Sequence, residues 1–413
     1  MTRSSTPDPI IPAPASGKLL QSTARRLEAV RPSEVRQIHD LYERMKRQDG
    51  DQRFITLHFG ESDLGSPEFI VEAGCRALRN GAVFYEANSG RMDLREQLVE
   101  YCHQVHGHRL SADHFVVSCG AMQAIHLALV SLLDSGDTVL NITPAWPNFS
   151  EAVRLVGATV RELPLSFDAR CQSFYLDFDL LDQVLAQVPR LRMVIVNTPS
   201  NPTGWVMSTS ERIELLKRCR EHSAYLLADE IYDRIVFDDP PPPSMMSLAG
   251  EHDRLIVING FSKTYCMTGW RVGYLIADPS LARRLAQVQE FVTSHAPSAA
   301  QVAAITALRQ GESFIEQSRH RYRHLRDLIL SRLERIPGVD FARPKGAFYL
   351  FLRLPGDTDS SEFCQQFLRQ CHVALAPGTA FGTGGAGWCR LCFATEPHSL
   401  NEAMDRLEGF LAS

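Results

Sequence analysis

From residue 115 to residue 230 the chain repeats one pattern. A short apolar run ends in a turn, and a longer stretch follows with apolar residues at helical spacing. FVVSCG leads into AMQAIHLALVSLL, TVLNI into a helix at 149–156, and MVIVN into STSERIELLKRCREH, which is followed by AYLLADE. Unbroken apolar runs mark strands covered on both faces, and their alternation with helices predicts an α/β fold with a mostly parallel, doubly wound sheet. Two more apolar runs, 255–258 and 272–276, read as further buried strands.

The flanking segments follow other patterns. Val35, Ile38, Leu41, Tyr42 and Met45 predict a helix over 33–45. FITLHFGESD is a strand-like run opening into a loop at Gly60, and PEFIVEAGCRALRNG is a helix with Pro67 in its first turn and Gly81 beyond its end. Tyr85 sits in a polar loop before another helix. After Pro297 come a long helix at 314–335, the strands FYLFLRL and WCRLCFA, and helices at 361–371 and 399–411. These predict a smaller α+β domain that also takes in the 33–45 helix. The expected division is a disordered Pro-, Ser- and Ala-rich tail at 1–24, the first part of the small domain at 25–58, a large domain at 59–299, and the rest of the small domain at 300–413. The four prolines at 240–243 predict a stiff loop.

Composition narrows the function. The chain has 413 residues, 44% of them hydrophobic, and a net charge of −5 without a basic face, which argues against nucleic acid. No apolar run approaches the roughly 20 residues needed to span a bilayer. The first residues lack the apolar core of a secretory signal, so a soluble cytoplasmic protein is expected. The 10 cysteines show no framework spacing, which fits reduced thiols.

Candidate chemistry clusters after the predicted strands. Lys263 and Arg271 lie in a Gly-rich polar segment between two apolar runs. An amine partly out of water is a nucleophile, and a guanidinium suits phosphate. The N–H groups of Gly120, Ala121 and Met122 open a helix directly after a strand and favour an anion, although an ordinary turn has the same pattern. Trp146, between Pro144 and Pro147, suits either stacking on a planar ligand or packing. Asn201 lies in the turn NTPSNPTGW, and Pro144 and Pro202 are candidates for cis bonds. Asp229 and Glu230 end a buried strand just before Tyr232. A carboxylate there needs a cation, from a protonated ring nitrogen or an internal arginine. Together these are the needs of pyridoxal phosphate.

The motifs YEANSGRMDLREQL, SCGAMQAIHLAL, TPAWPNF, NTPSNPTG, ADEIYDRIVF, GFSKTYCMTGWRVGY, GAFYLF and WCRLCFATE run in order from about residue 33 to the end. In them the chain resembles the fold-type-I, aspartate-aminotransferase-like pyridoxal-phosphate enzymes, the class I/II aminotransferases. The resemblance implies that Lys263 holds the cofactor as an imine and serves as acid and base. Asp229 keeps the ring nitrogen protonated, and Tyr232 and Asn201 donate to the phenolic oxygen. Trp146 stacks on the ring. Gly120, Ala121, Met122, Ser262 and Arg271 hold the phosphate. Tyr85 reaches the neighbouring site of a homodimer. Arg390 clamps the substrate α-carboxylate, with Gly60, Trp146 and Asn201 as further substrate contacts. Two positions depart from the family pattern: Gly260 stands where serine is frequent, and Met122 where a polar phosphate-site residue is frequent.

The implied activity is transfer of an amino group from an L-amino acid to a 2-oxo acid through lysine-bound pyridoxal phosphate and a pyridoxamine intermediate. The alternatives are a C–S lyase or other β/γ-eliminating enzyme of the same fold, and a non-catalytic ligand-sensing domain. Cys389 and Cys392 form a CxxC, and His103, His106 and His108 cluster at a helix end. Neither is expected to be a redox or metal site, and no metal is expected. The glycines at 382, 384, 385 and 387 read as a mobile loop near the entrance. No second cation for a distal carboxylate is identifiable, and Phe59, Phe348 and Trp205 lean toward an apolar or broad side-chain pocket.

Overall fold

A computed structural model of the chain describes residues 23–412 except 51, 52, 109, 239 and 357. The expected tail therefore lies almost wholly outside the described residues. At the centre is a seven-stranded sheet. Its strands in chain order are β1 (Phe115–Ser118), β2 (Thr138–Thr143), β3 (Thr159–Pro164), β4 (Leu191–Asn197), β5 (Tyr225–Asp229), β6 (Leu255–Gly260) and β7 (Gly273–Ile276). They are ordered β1-β7-β6-β5-β4-β2-β3. All neighbours from β6 to β3 pair in parallel, and β7 runs antiparallel between β1 and β6.

Successive residues of each strand enter different cores, as the pleat requires. Val117, Leu140, Val194, Val196, Leu226, Ala228 and Val257 pack in one. Their neighbours Val116, Val139, Met193, Ile195, Leu227, Ile256 and Leu275 pack in the other. Helices cover both faces, which is why the strands read as unbroken apolar runs.

A third core gathers Ile38, Ile55 and Leu57 with Tyr322, Leu325, Leu350, Phe367 and Leu407. It surrounds a four-stranded sheet of β8 (Asp340–Ala342), β9 (Tyr349–Arg353), β10 (Ala376–Pro377) and β11 (Trp388–Cys392), ordered β8-β9-β11-β10. Ile55–Thr56 pairs in parallel with Val373–Ala374, which ties the chain's beginning to its end. The domain boundary expected at residue 300 falls inside the helix Ser298–Gln310. That helix packs Ala300, Ala303, Ala304 and Ile305 into a core of the large sheet, so the division of cores comes later in the chain.

The helix predicted at 33–45 spans Glu34–Asp49, with the Ser33 hydroxyl accepting the Arg36 N–H at its start. The helices Phe178–Gln187 and Pro279–Glu290 were not foreseen, and neither was the hairpin Ser166–Asp168/Ser173–Tyr175. Peptide bonds before Pro144 and Pro202 are cis as expected, and so is the one before Pro199.

Candidate active site

Parallel strands deliver their following loops to one edge, where ligands bind in such sheets. A cavity of about 610 Å³ lies there. Trp146 follows β2, Asn201 follows β4, Asp229 ends β5, and Ser262 and Lys263 follow β6. Because β7 is antiparallel, Arg271, two residues before it, reaches the same edge. The other wall comes from Ser33, Val35 and Arg36, from 59–61, and from Tyr349, Phe381 and Arg390.

Asp229 and Glu230 are both buried, yet only one is paired. Glu230 accepts from Arg212 Nη1 at 2.7 Å and from the Met245 N–H at 2.8 Å. Asp229 Oδ1 accepts the Ile231 N–H at 3.0 Å, and no cation forms an ion pair with it among the described residues. Burial is the largest influence on Asp229 and pushes its carboxyl up to about 7. A buried carboxylate without a cation is a place for a cationic ligand group.

Arg390 is the opposite case. It is 3% exposed and lies between the rings of Tyr349 and Phe381, at 4.7 and 4.9 Å from their centroids. Its Nη1 donates to Asn201 Oδ1 at 2.9 Å and its Nη2 to the His58 carbonyl, while Nε is buried without a partner. The other buried arginines, Arg95, Arg212 and Arg326, each have a carboxylate, in Asp113, Glu230 and Asp238. Arg390 has none among the described residues, so it is open to an anion. Since guanidinium only donates, Asn201 turns its oxygen to Arg390 and keeps its Nδ2 hydrogens for another acceptor.

Lys263 Nζ donates to the Gly60 carbonyl at 2.6 Å, and burial holds the amine below the ordinary lysine range. A Cβ on Gly60 would overlap the Tyr349 hydroxyl, so only glycine brings this carbonyl so close. Tyr232 and Tyr349 share a hydrogen bond of 2.6 Å between hydroxyls, and burial raises both phenols. Trp146 stands edge-on to Phe149, with ring centroids 5.6 Å apart.

Gly120 caps the helix Ala121–Leu132 at φ +79°, and a Cβ there would overlap the Arg271 guanidinium. Arg271 donates to the Thr268 carbonyl at 2.8 Å and the Cys119 carbonyl at 3.2 Å. The N–H groups of Ala121 and Met122 have no acceptor within their own helix, as at any helix start. That of Gly120 is not free, because it donates to the Ser118 carbonyl at 2.8 Å.

Lys263, Asp229, Tyr232, Ala121, Met122, Trp146, Asn201, Ser262, Arg271, Gly60 and Arg390 thus line one cavity. Gly120 lies behind Arg271 and does not line it. Tyr85 is 90% exposed and far from lining it, with its ring edge-on to His295. Phe59 lines the cavity, but Trp205 is core and Phe348 lines a small neighbouring space, so two of the three aromatics expected at the substrate pocket are absent from it. Arg36, Asn197, Tyr349 and Phe381 were missed. Arg36 looked like any cation in a first helical turn, and Tyr349 like strand core. The glycine-rich loop is tied down, with the N–H and hydroxyl of Thr383 donating to Glu162 at 2.8 and 2.7 Å. Cys389 lies against Cys364, with sulfurs 3.5 Å apart, and not against Cys392. His106 faces Asp233 at 3.3 Å, and no metal-holding group of three His, Cys, Asp or Glu side chains occurs among the described residues.

The sequence matches the family model for aminotransferase class I and II over residues 52–407. It is 33% identical to an aspartate aminotransferase of Pyrococcus horikoshii, over 93% of this chain and 96% of that protein. It is 35% identical to aromatic-amino-acid aminotransferase 2 of Thermococcus litoralis, over 94% and 97%. Among solved structures, an aspartate aminotransferase from Thermotoga maritima superposes with a TM-score of 0.86 at 33% identity, covering 95% of this chain and 100% of that one.

Proposed function

The chain belongs to the class I and II aminotransferases, and from that premise we infer which of its residues carry the reaction. The protein is an aminotransferase that moves the amino group of an L-amino acid to a 2-oxo acid, with pyridoxal phosphate as cofactor. When bound, the cofactor draws electron density from the substrate α-carbon, so that the α-proton becomes acidic.

Lys263 Nζ would hold the cofactor and move the proton at the α-carbon. Its lowered proton affinity suits a base working near neutral pH. The Asp229 carboxylate would face the protonated ring nitrogen, which supplies the cation this buried group lacks. Tyr232 Oη and Asn201 Nδ2 would donate to the phenolic oxygen, and Trp146 would cover the ring. Ala121, Met122, Ser262 and Arg271 would hold the phosphate, with Gly120 leaving room for Arg271. Arg390, with Gly60, Trp146 and Asn201 around it, would bind the α-carboxylate in a bidentate pair.

What carries this assignment is one cavity in which an unpaired buried carboxylate and an unpaired buried guanidinium flank a lysine amine. The test mixes holoenzyme with single L-amino acids and no oxo acid. The expected result is a change in the cofactor absorption with release of one 2-oxo acid per site. Release of ammonia or a cleaved side chain in its place would overturn it.

We further propose a homodimer in which Tyr85 reaches the neighbouring site. In support, Val83, Phe84 and Tyr85 are 65, 78 and 90% exposed, and Phe291 is exposed as well. Apolar surface of this kind is usually covered. The third core supports a small domain formed by the N-terminal segment and the C-terminal part of the chain. Among the described residues no helix is long and apolar enough to cross a membrane. The 10 cysteines are all free, which supports placement in the reducing cytoplasm.

A further inference from the structure

Tyr349 opens β9 of the small sheet, and Tyr232 follows β5 of the large one. Both line the cavity. Their hydroxyls share the hydrogen bond of 2.6 Å, and neither hydroxyl has another partner among the described residues. Three contacts hold Tyr349 in place. Its ring is edge-on to that of Tyr232, with centroids 5.6 Å apart. The Arg390 guanidinium covers its face. Its hydroxyl takes the space that a side chain on Gly60 would fill. Tyr349 thus touches the residues assigned to the phenolic oxygen and to the α-carboxylate, and also the glycine whose carbonyl accepts Lys263. The reaction as assigned above gives it no role.

A phenol has one hydrogen to give and lone pairs to receive. Burial raises both phenols, so each keeps its hydrogen at neutral pH. Between the two hydroxyls only one can donate. If Tyr232 gave its hydrogen to Tyr349, the Tyr349 hydrogen would be buried with no acceptor among the described residues. The phenolic oxygen of the cofactor would also lose a donor. With Tyr349 donating, both hydrogens are used, and that of Tyr232 is left for the cavity. A hydroxyl that accepts a hydrogen bond is also the stronger donor, because each bond in such a chain polarises the next.

We propose that Tyr349 is a positioning residue for the reaction: its hydroxyl donates to Tyr232 Oη and so turns the one Tyr232 hydrogen toward the cofactor's phenolic oxygen. This rests on the assignment of Tyr232 to that oxygen. Donation there favours the oxygen's anionic form, and the proton that the lysine-bound cofactor shares with it then leaves at lower pH. Tyr349 acts on the cofactor's protonation without touching the cofactor. Its two ends have separate tasks: the ring supports Arg390, and the hydroxyl sets Tyr232. Removing the hydroxyl alone therefore separates them.

The experiment titrates the cofactor absorption of holoenzyme against pH in wild type, Tyr349→Phe, Tyr232→Phe and the double variant. Phenylalanine at 349 keeps the ring under Arg390 and removes only the oxygen. Tyr232→Phe should raise the midpoint by about one pH unit and Tyr349→Phe by about half a unit, the share expected of one cooperative bond. The double variant should match Tyr232→Phe, because Tyr349 then has no hydrogen to aim. Cofactor affinity, measured by calorimetry on the cofactor-free protein, should fall by about twofold to threefold in Tyr349→Phe, and that loss should vanish in the Tyr232→Phe background. KM for the amino acid should hardly move, since Arg390 keeps its ring. A midpoint unmoved or lowered in Tyr349→Phe would overturn the proposal. A further rise in the double variant would overturn it too, because Tyr349 would then act on the cofactor directly or through the fold. Failure of the assignment underneath looks different: Tyr232→Phe would itself leave the titration unchanged, and the proposal would fall with it.

Discussion

Asp229 and Glu230 are neighbours at the end of one strand, equally buried, and they meet opposite conditions. Glu230 closes on Arg212 and the Met245 N–H, in a pair that faces away from the large cavity. Asp229 opens into the cavity with one N–H and no cation. The same contrast separates Arg212 from Arg390. One side of the strand end has its charges satisfied by the chain, and the other leaves them for ligands. Where a buried charge has its counter-ion tells structure from function better than burial does.

Substitutions can break this contrast in order of expected size. Lys263→Ala should lower transamination by about 10⁴-fold, because the proton at the α-carbon loses its carrier. Stopped-flow measurement of the half-reaction checks it, and near-normal turnover would end the assignment. Glu230→Gln should cost the fold about 3–5 kcal/mol, since it strands a buried guanidinium. Urea denaturation of the holoenzyme should show that loss while KM for the amino acid hardly moves. Arg390→Gln should lower kcat/KM for every amino acid alike, by roughly 10²–10³-fold, because all of them carry the α-carboxylate. A loss confined to one class of side chain would overturn the assignment of Arg390 to the α-carboxylate.

The smallest effect is a pH dependence. In the cofactor-free protein the Asp229 carboxyl is raised from 3.8 to about 7. Between those values the unfolded chain has released this proton and the folded one still binds it. Stability from this group is therefore fully present below about pH 4 and is lost as pH rises to about 7. The Tm of the cofactor-free wild type minus that of Asp229→Asn should fall across this window and level off above it. A difference that rises with pH would mean that the carboxylate has a cationic partner within the chain.

The floor of the cavity was legible in the sequence because each of its groups follows an apolar strand closely. The distance from strand end to Lys263, Asn201 or Trp146 is a few residues, so local pattern fixes where they arrive. The rim was not. Arg36 and Phe59 come from near one end of the chain and Phe381 and Arg390 from near the other, and only tertiary packing decides that they meet. Arg390 was found through its motif, whereas Arg36 has no local signature that sets it apart from a solvated helix start. The helix Ser298–Gln310 was split by the expected boundary for a related reason. It follows a proline where the strand–helix alternation stops, yet its small apolar face matches the large sheet's helices.

Three consecutive residues each anchor one cation of the cavity, the His58 carbonyl Arg390, the Phe59 ring Arg36 and the Gly60 carbonyl Lys263, and this bears on how the protein tolerates change. Two of its three anchors are main-chain carbonyls, which any residue supplies. Identity therefore matters at Phe59, for its ring, and at Gly60, for its missing side chain, while spacing matters at all three. Adding or removing a single residue here would slide each anchor onto the wrong cation. A lineage drifting from this ancestor could rewrite the letters of the segment more freely than it could change its length.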